Sequence, residues 1–374
     1  MGADGHTIVV GMSGGVDSAV AAALLLQTGW RVVGVTMRQW SDPSGDPARG
    51  GCCSLAAVQE ARRTCAELGI PHYTIDLQAE FEQRVVSPFV RDYASGRTPN
   101  PCTWCNVRVR FSNLMAFARR MGASRWATGH YARVGKDART GYYQLLRGRC
   151  REKDQSYMLY RLTQEQLEGC VFPLGDIGSK EQTRAIAAEL GLTVASRRDS
   201  QDICFVSDGT YREFLASRLG GILKPGSFVD EYGNVIGRHA GTAFYTIGQR
   251  RGLPASSRGP LYVLETDPET ATVYVGPPER LYSRTLIAGE VVWTSGPPNA
   301  FPLAVHAAIR YNAVAAPATL HLDGSEVRCE FAEPQRAVTP GQAVVFYRGD
   351  CVVGGGVIRC ALRGGGNHER SRLG

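Results

Sequence analysis

The feature that most constrains this chain is a glycine loop behind its first apolar run. Residues Thr7-Ile8-Val9-Val10-Gly11 read as a buried strand, and Val16 to about Gln27 read as a helix stopping near Gly29. Between them lies Gly11-Met12-Ser13-Gly14-Gly15-Val16-Asp17-Ser18. Two adjacent glycines let the backbone turn tightly and approach a ligand. The N–H groups at the helix start, with the positive end of its dipole, make an anion site, and Ser13 and Ser18 add hydroxyl donors. A Walker A loop would end in Gly-Lys-Ser/Thr, and this loop has no lysine. Residues 11–15 also spell Gly-x-Ser-x-Gly, the nucleophile elbow of α/β-hydrolases. That elbow lies deep in a sheet whose earlier loop supplies part of the oxyanion hole, and ten residues ahead of Gly11 leave no room for it.

The same grammar continues to about residue 208. Arg31 to Met37 reads as a strand, Leu55 to Leu68 as a helix closed by Gly69, and His72 to Leu77 as a strand. Phe111, Leu114, Met115 and Ala118 fall on one helical face, and Arg125 to Thr128 resume a strand. Ser179 with Gln182 predicts a capping box opening a helix to Leu190. Strands alternating with helices predict a doubly wound, mostly parallel α/β sheet. After one more helix, with Tyr211, Phe214, Leu215 and Arg218 on a stripe ending at Gly220-Gly221, short alternating runs take over. Tyr262 to Glu265, Thr272 to Val275 and Val327 to Phe331 are examples, and they predict all-β modules. The expected division is a catalytic domain over 1–208, a small mostly-β central domain over 209–283, a C-terminal β-barrel over 284–362 and a disordered tail over 363–374.

A length of 374 residues fits two or three domains, and 43% hydrophobic with 21% charged residues is an ordinary globular composition. The net charge of +7 is unevenly spread: residues 91–161 hold 15 Lys+Arg against 4 Asp+Glu. A basic segment in an otherwise mildly acidic chain points to a polyanionic partner, with a solvated basic face as the competing reading. The longest apolar run near the start, Ala19 to Leu26, falls short of the ~20 residues that span a bilayer. No basic n-region precedes it, so the expected location is cytoplasmic, without a membrane. Eleven cysteines there mean thiol, metal or redox chemistry rather than a disulfide framework.

Two cysteine contexts stand out. Thr98-Pro99-Asn100-Pro101-Cys102-Thr103-Trp104-Cys105-Asn106 leads into the helix bearing Phe111. Cys105 near that helix start would have a lowered pKa, with Arg108 and Arg110 adding positive charge. A lone Cys-x-x-Cys is ambiguous, because zinc needs four ligands, and Cys52-Cys53 would have to complete the set. Cys204, in Asp199-Ser200-Gln201-Asp202-Ile203-Cys204-Phe205, taken alone reads as a buried strand cysteine.

Ser13 to Ser18 resembles the pyrophosphate-binding loop of the PP-loop ATPases, with Thr128-Gly129-His130 as that superfamily's second nucleotide-contacting turn. Met37 would then stack on adenine, against a competing reading as ordinary core. Over residues 6–362 the chain resembles the bacterial tRNA-specific 2-thiouridylases more specifically. Besides the segments above, Ala127 to Tyr131, Lys153-Asp154-Gln155-Ser156-Tyr157 and Thr246-Ile247-Gly248-Gln249-Arg250-Arg251-Gly252-Leu253 carry the match. The resemblance implies a tRNA-modifying sulfurtransferase that adenylates the C2 oxygen of the wobble uridine with ATP and Mg²⁺, then replaces it with sulfur. It assigns ATP to Gly11, Met12, Ser13, Gly14, Gly15, Val16, Asp17, Ser18, Met37 and Gly129. It makes Cys204 the persulfide carrier, loaded by a sulfur-donor protein relay, and Cys105 the nucleophile that closes a transient disulfide with it. It places tRNA at Asn100, Pro101, Cys102, His130, Lys153, Asp154, Gln155, Arg310, Tyr311 and Gln342, on a protein expected to be a monomer. For Arg310-Tyr311 a barrel strand is the competing reading.

Many relatives have Asp where this chain has Cys102, so that residue's acid–base role does not transfer. Cys102, Cys105 and Cys204 together could instead hold a [4Fe–4S] cluster with one open iron. The competing functions are another PP-loop adenylating enzyme, such as a 4-thiouridine synthase or an amide-forming synthetase, and a non-catalytic tRNA-binding protein.

Overall fold

The computed structural model describes residues 6–41, 54–196, 203–206 and 211–362. Cys52-Cys53, Ser200-Gln201-Asp202 and the 363–374 tail lie outside the described residues. The first half contains strands β1 (Thr7–Gly11), β2 (Arg31–Arg38), β3 (His72–Asp76), β4 (Arg125–Thr128), β5 (Ala132–Lys136), β6 (Tyr143–Arg147) and β7 (Cys170–Val171). Five of them form a parallel sheet in the order β3-β2-β1-β4-β7. The central strand β1 is covered on both faces, which is why Ile8, Val9 and Val10 are an unbroken apolar run with no exposed surface. Helix α1 (Val16–Gln27) buries Ala19 to Ala23 and Leu25 against it. Helix α2 (Leu55–Glu67) starts where the Ser54 hydroxyl accepts from the Ala57 N–H.

Four details depart from the sequence-based expectations. The helix bearing Phe111 begins ten residues earlier, at Pro101, and runs to Arg120 with Asn106–Arg110 wound as a π-helix. Proline at the first helical position explains the start. The predicted capping box is half formed: Ser179 accepts from Gln182 N, while the Gln182 side chain turns to the N–H of Gly178. Residues 132–147, placed by sequence in the catalytic unit, fold as the β5–β6 hairpin and pair with the C-terminal sheet through Leu146 and Cys351. The helix Tyr211–Leu219 ends on schedule but adds a 3₁₀ turn over Gly220–Ile222.

The second half is β-structure, as its alternation predicted. Strands β8 (Gly226–Val229), β9 (Val235–His239), β10 (Tyr262–Asp267) and β11 (Thr272–Gly276) form one sheet in the order β10-β11-β8-β9. Strands β12 (Tyr282–Val292), β13 (Leu303–Ala308), β14 (Ala316–Asp323), β15 (Glu326–Arg336), β16 (Ala343–Arg348) and β17 (Cys351–Leu362) follow. Pairing of β12 with both β15 and β17 closes these six into a barrel, which removes the open edges. Leu286, Leu320, Val344, Phe346 and Ile358 fill it. No described helix is long and apolar enough to cross a membrane.

Candidate functional site

The site residues gather at the carboxyl ends of the parallel strands, where open α/β sheets expose their loops. At the end of β1 the loop is held by its own side chains. Ser18 Oγ donates to the Gly15 carbonyl at 3.0 Å and accepts from Ser13 N at 3.2 Å. The buried Thr36 hydroxyl donates to the Met12 carbonyl at 2.9 Å. Gly14 lies in the left-handed region (φ 71°), and a Cβ there would stand 2.5 Å from the Ala57 carbonyl oxygen. A Cβ on Gly129, at the end of β4, would stand 2.6 Å from the Asp17 carbonyl carbon. Both positions therefore require glycine for close backbone approach. Gly15 is the N-cap of α1, in an extended conformation. Met37 is buried at the end of β2, and its Cε would lie 3.7 Å from a Cβ on Gly11, so both the core reading and the nucleotide reading fit its position.

Asp17 reaches away from the loop into an ion pair that the motif alone did not reveal. Lys180 Nζ donates to both its oxygens, at 2.7 and 2.8 Å, and the Tyr131 hydroxyl donates to Oδ1 at 2.9 Å. Thr183 Oγ1 lies 2.7 Å from the same hydroxyl. Burial and then the Asp17 charge push the Tyr131 phenol far up, which keeps it a donor. Lys180 and Thr183 sit on the helix capped by Ser179, which packs beside α1 and so fixes the loop's carboxylate.

The cysteines are arranged around an aromatic cluster. Cys105 is the fifth residue of the helical run, beyond the N-terminal N–H groups, so the helix dipole does not explain its environment. Instead the buried Gln39 amide, just past β2, donates to Cys105 Sγ at 3.5 Å. The next residue, Trp40, lies 6.0 Å from the ring of Phe205, which also packs edge-on to Phe89 at 5.1 Å. Phe205 is 2% exposed and anchors its neighbour Cys204, half-buried in a turn rather than in the expected strand. Cys105 is part of the large core that also buries Phe205, and Cys204 packs against that core. Cys65 and Cys329 are pushed up to about 12, mainly by burial, so they stay protonated thiols at neutral pH. The three-cysteine cluster expectation does not fit. Among the described residues, no group of three or more His, Cys, Asp or Glu side chains is placed to hold a metal ion, and no step is derived through one.

Cys102 faces a different set. Its charge is one of the influences, after burial and Asp154, that push Tyr311 up to about 12. Tyr311 lies 6.1 Å from Tyr157, and the charge of Arg310 also acts on Tyr157. Arg310 and Tyr311 occupy the turn after β13, not a strand, and Arg310 donates to the Arg336 carbonyl. Asn100 donates to Met158 Sδ at 3.8 Å, and Pro101 starts the helical run. His130 Nδ1 lies 2.7 Å from Thr128 Oγ1, with its ring beside Phe111 and Phe172. Lys153 lies on a 3₁₀ turn and acts electrostatically on Glu181. Three of the expected RNA contacts hold the chain itself. Asp154 accepts from the N–H of Gly148 at 3.0 Å, Gln155 from that of Tyr131 at 3.0 Å, and Gln342 donates to the Thr98 carbonyl at 2.8 Å. Sequence reasoning missed Gln39 and Lys180, which sit in no motif and matter only through their partners. A groove of about 760 Å³ on the barrel, lined by His306, Glu330, Tyr347 and Arg348, contains none of these residues.

Known proteins match most of the chain. The profile of a tRNA methyl transferase HUP domain matches residues 6–208, that of a tRNA methyl transferase PRC-barrel domain residues 212–277, and that of an aminomethyltransferase beta-barrel domain residues 283–358. The tRNA-specific 2-thiouridylase MnmA of Heliobacterium modesticaldum is 50% identical over 356 residues, covering 94% of this chain and 92% of that protein. The protein of the same name from Clostridioides difficile is 45% identical, covering 95% and 98%. That from Moorella thermoacetica is 49% identical, covering 94% and 98%.

Proposed function

This chain belongs to the tRNA-specific 2-thiouridylase family, and from that premise we propose that it exchanges the C2 oxygen of the wobble uridine in tRNA for sulfur at the expense of ATP. The observation that carries the reading is the glycine loop at the end of β1 beside Cys105, whose sulfur is met by Gln39 past the neighbouring strand β2. The methyl-transfer wording of two matched profiles describes neither feature.

The C2 carbonyl of uridine is urea-like, a weak electrophile with a poor leaving group. Attack by O2 on the α-phosphorus of ATP expels pyrophosphate and makes that oxygen part of a departing AMP. Gly11 to Ser18 and Gly129 supply the close backbone approach for the phosphates, and Met37 lies beside Gly11 for the adenine. Because both oxygens of Asp17, the carboxylate of this loop, are taken by Lys180, magnesium would be held through the nucleotide phosphates. It would neutralise charge on the leaving pyrophosphate.

Sulfur arrives as a persulfide on Cys204, loaded by a donor protein. Attack of the Cys105 thiolate on the Cys204 inner sulfur forms a Cys105–Cys204 disulfide and expels hydrosulfide. The sulfane sulfur is reduced and the two thiols are oxidised. Hydrosulfide adds to C2, AMP leaves, and loss of the sulfur-bound proton gives the thiocarbonyl. A dithiol reductant then reopens the disulfide. Gln39 stabilises the attacking thiolate by its N–H···S hydrogen bond. Asn100, Pro101, Cys102, His130, Arg310 and Tyr311 line the side where a flipped base would enter. Lys153 in the basic stretch meets the backbone, Gln342, Asp154 and Gln155 keep that surface in shape, and the protein acts as a monomer.

Nucleoside mass spectrometry of tRNA incubated with the protein, ATP and a persulfide donor tests this. ATP-dependent 2-thiouridine is expected. Its absence, or its full persistence in Cys204→Ser, would overturn the reading.

A further inference from the structure

Trp104 lies between Cys102 and Cys105 on the helical run that starts at Pro101. The guanidinium carbon of Arg108 stands 3.7 Å from the indole centroid and that of Arg161 stands 3.6 Å from it. Two guanidinia that close cannot share one face, so they sandwich the ring. Arg108 is exposed, one helical turn beyond Trp104. Arg161 is 6% exposed, and among the described residues its buried Nε and Nη2 have no hydrogen-bond partner.

The surrounding charge does not balance this pair. Arg84, itself paired with Glu80, donates to the Arg108 carbonyl at 3.5 Å. Glu290 acts on Arg108 from the barrel but is held by Arg359 at 3.1 Å. Burial, and after it the charge of Arg161, press Arg108 below its ordinary value. Burying a cation with two of its nitrogens unpaired is costly, and stacking on an indole offsets only part of that cost. Such an arrangement is sustained where an anion arrives with the substrate. Both indole faces are covered, so Trp104 is not a stacking platform for a base. A planar guanidinium fork matches a phosphate.

We infer that the Arg108–Trp104–Arg161 stack is a landing site for one backbone phosphate of the substrate RNA, on the helical run that carries Cys102 and Cys105. Arg108 meets the phosphate with its outward fork, Trp104 holds that fork flat, and Arg161 supplies a fixed positive charge behind the ring. The inference rests on the tRNA reading above.

Binding of tRNA across a series of salt concentrations tests it, using the full chain and the variants Arg108→Gln, Arg161→Gln and Trp104→Leu. Arg108→Gln should weaken binding about threefold to tenfold and lower the slope of log K against log salt by about 0.7 to 0.9. Trp104→Leu keeps both charges, so affinity should fall with the slope unchanged. Arg161→Gln should weaken binding less than Arg108→Gln does; if it fails to fold, the exposed Arg108 decides alone. The KM for ATP should stay the same in Arg108→Gln, which separates an RNA phosphate from a nucleotide phosphate. Normal tRNA affinity and slope in a folded Arg108→Gln would overturn the site and leave the functional reading standing. Absence of tRNA binding by the unaltered protein would overturn both.

Discussion

The glycine loop lies at the carboxyl end of β1, and the proposed thiol pair draws on Gln39 past the neighbouring β2, but the two are built in opposite ways. The loop is contiguous: eight consecutive residues, closed by their own hydroxyls and backed by Gly129. The thiol pair is assembled from separate segments, with Gln39 and Trp40 after β2, Cys105 within the 101–120 run, and Cys204 and Phe205 in a turn about a hundred residues later. An anion site needs backbone N–H groups, which neighbouring residues supply. A sulfur-transfer site needs two thiols brought together, which only tertiary packing supplies.

If that contrast is right, damage to one half should leave the other intact. The largest effect is expected from Cys105→Ser and Cys204→Ser. Each should lower 2-thiouridine formation by about a thousandfold or more, as for residues acting as a unit, while tRNA-dependent pyrophosphate release continues. Coupled loss of pyrophosphate release in both would break the separation. Next comes Lys180→Met, which leaves Asp17 with only Tyr131. Removing one member of a buried pair costs about 3–5 kcal/mol, and the third of Asp17 that faces water reduces this to about 2 kcal/mol. Thermal melting should show that loss, with a raised KM for ATP and an unchanged rate of Cys105 alkylation.

These two predictions mark what was legible in the sequence. The glycine loop, its flanking strand and helix, and the change to β-structure after residue 210 follow from local pattern, and the structure agrees. Lys180 and Gln39 were not legible, because a lysine on a capped helix and a glutamine after a strand look like any others. Their roles depend on partners 163 and 66 positions away. The β5–β6 hairpin was missed because its partner, β17, lies some two hundred residues downstream. The position of Cys105 within its helix was misjudged because Pro101 was read as punctuation rather than as a helix start.

Smaller effects sharpen the contrast. Gly129→Ala puts a methyl against the Asp17 backbone and should raise the KM for ATP about tenfold, equivalent to ~1.4 kcal/mol, with no change in thiol chemistry. Gln39→Leu removes a hydrogen bond to the charged form of Cys105, so the thiolate should be harder to form. The pH profile of Cys105 alkylation should move upward accordingly, and ATP binding should not change. Because burial holds Cys65 and Cys329 near 12, they contribute little labelling at neutral pH. An unshifted profile in Gln39→Leu would mean that the amide positions the chain without tuning the sulfur.

The proposed sulfur transfer requires Cys105 and Cys204 to act as a pair. A single turnover with persulfide-loaded protein, ATP and tRNA, quenched by alkylation and mapped by peptide mass spectrometry, addresses it most directly. One Cys105–Cys204 disulfide should form for each 2-thiouridine made. Thiolated tRNA accompanied by two alkylated, unlinked cysteines would contradict the account.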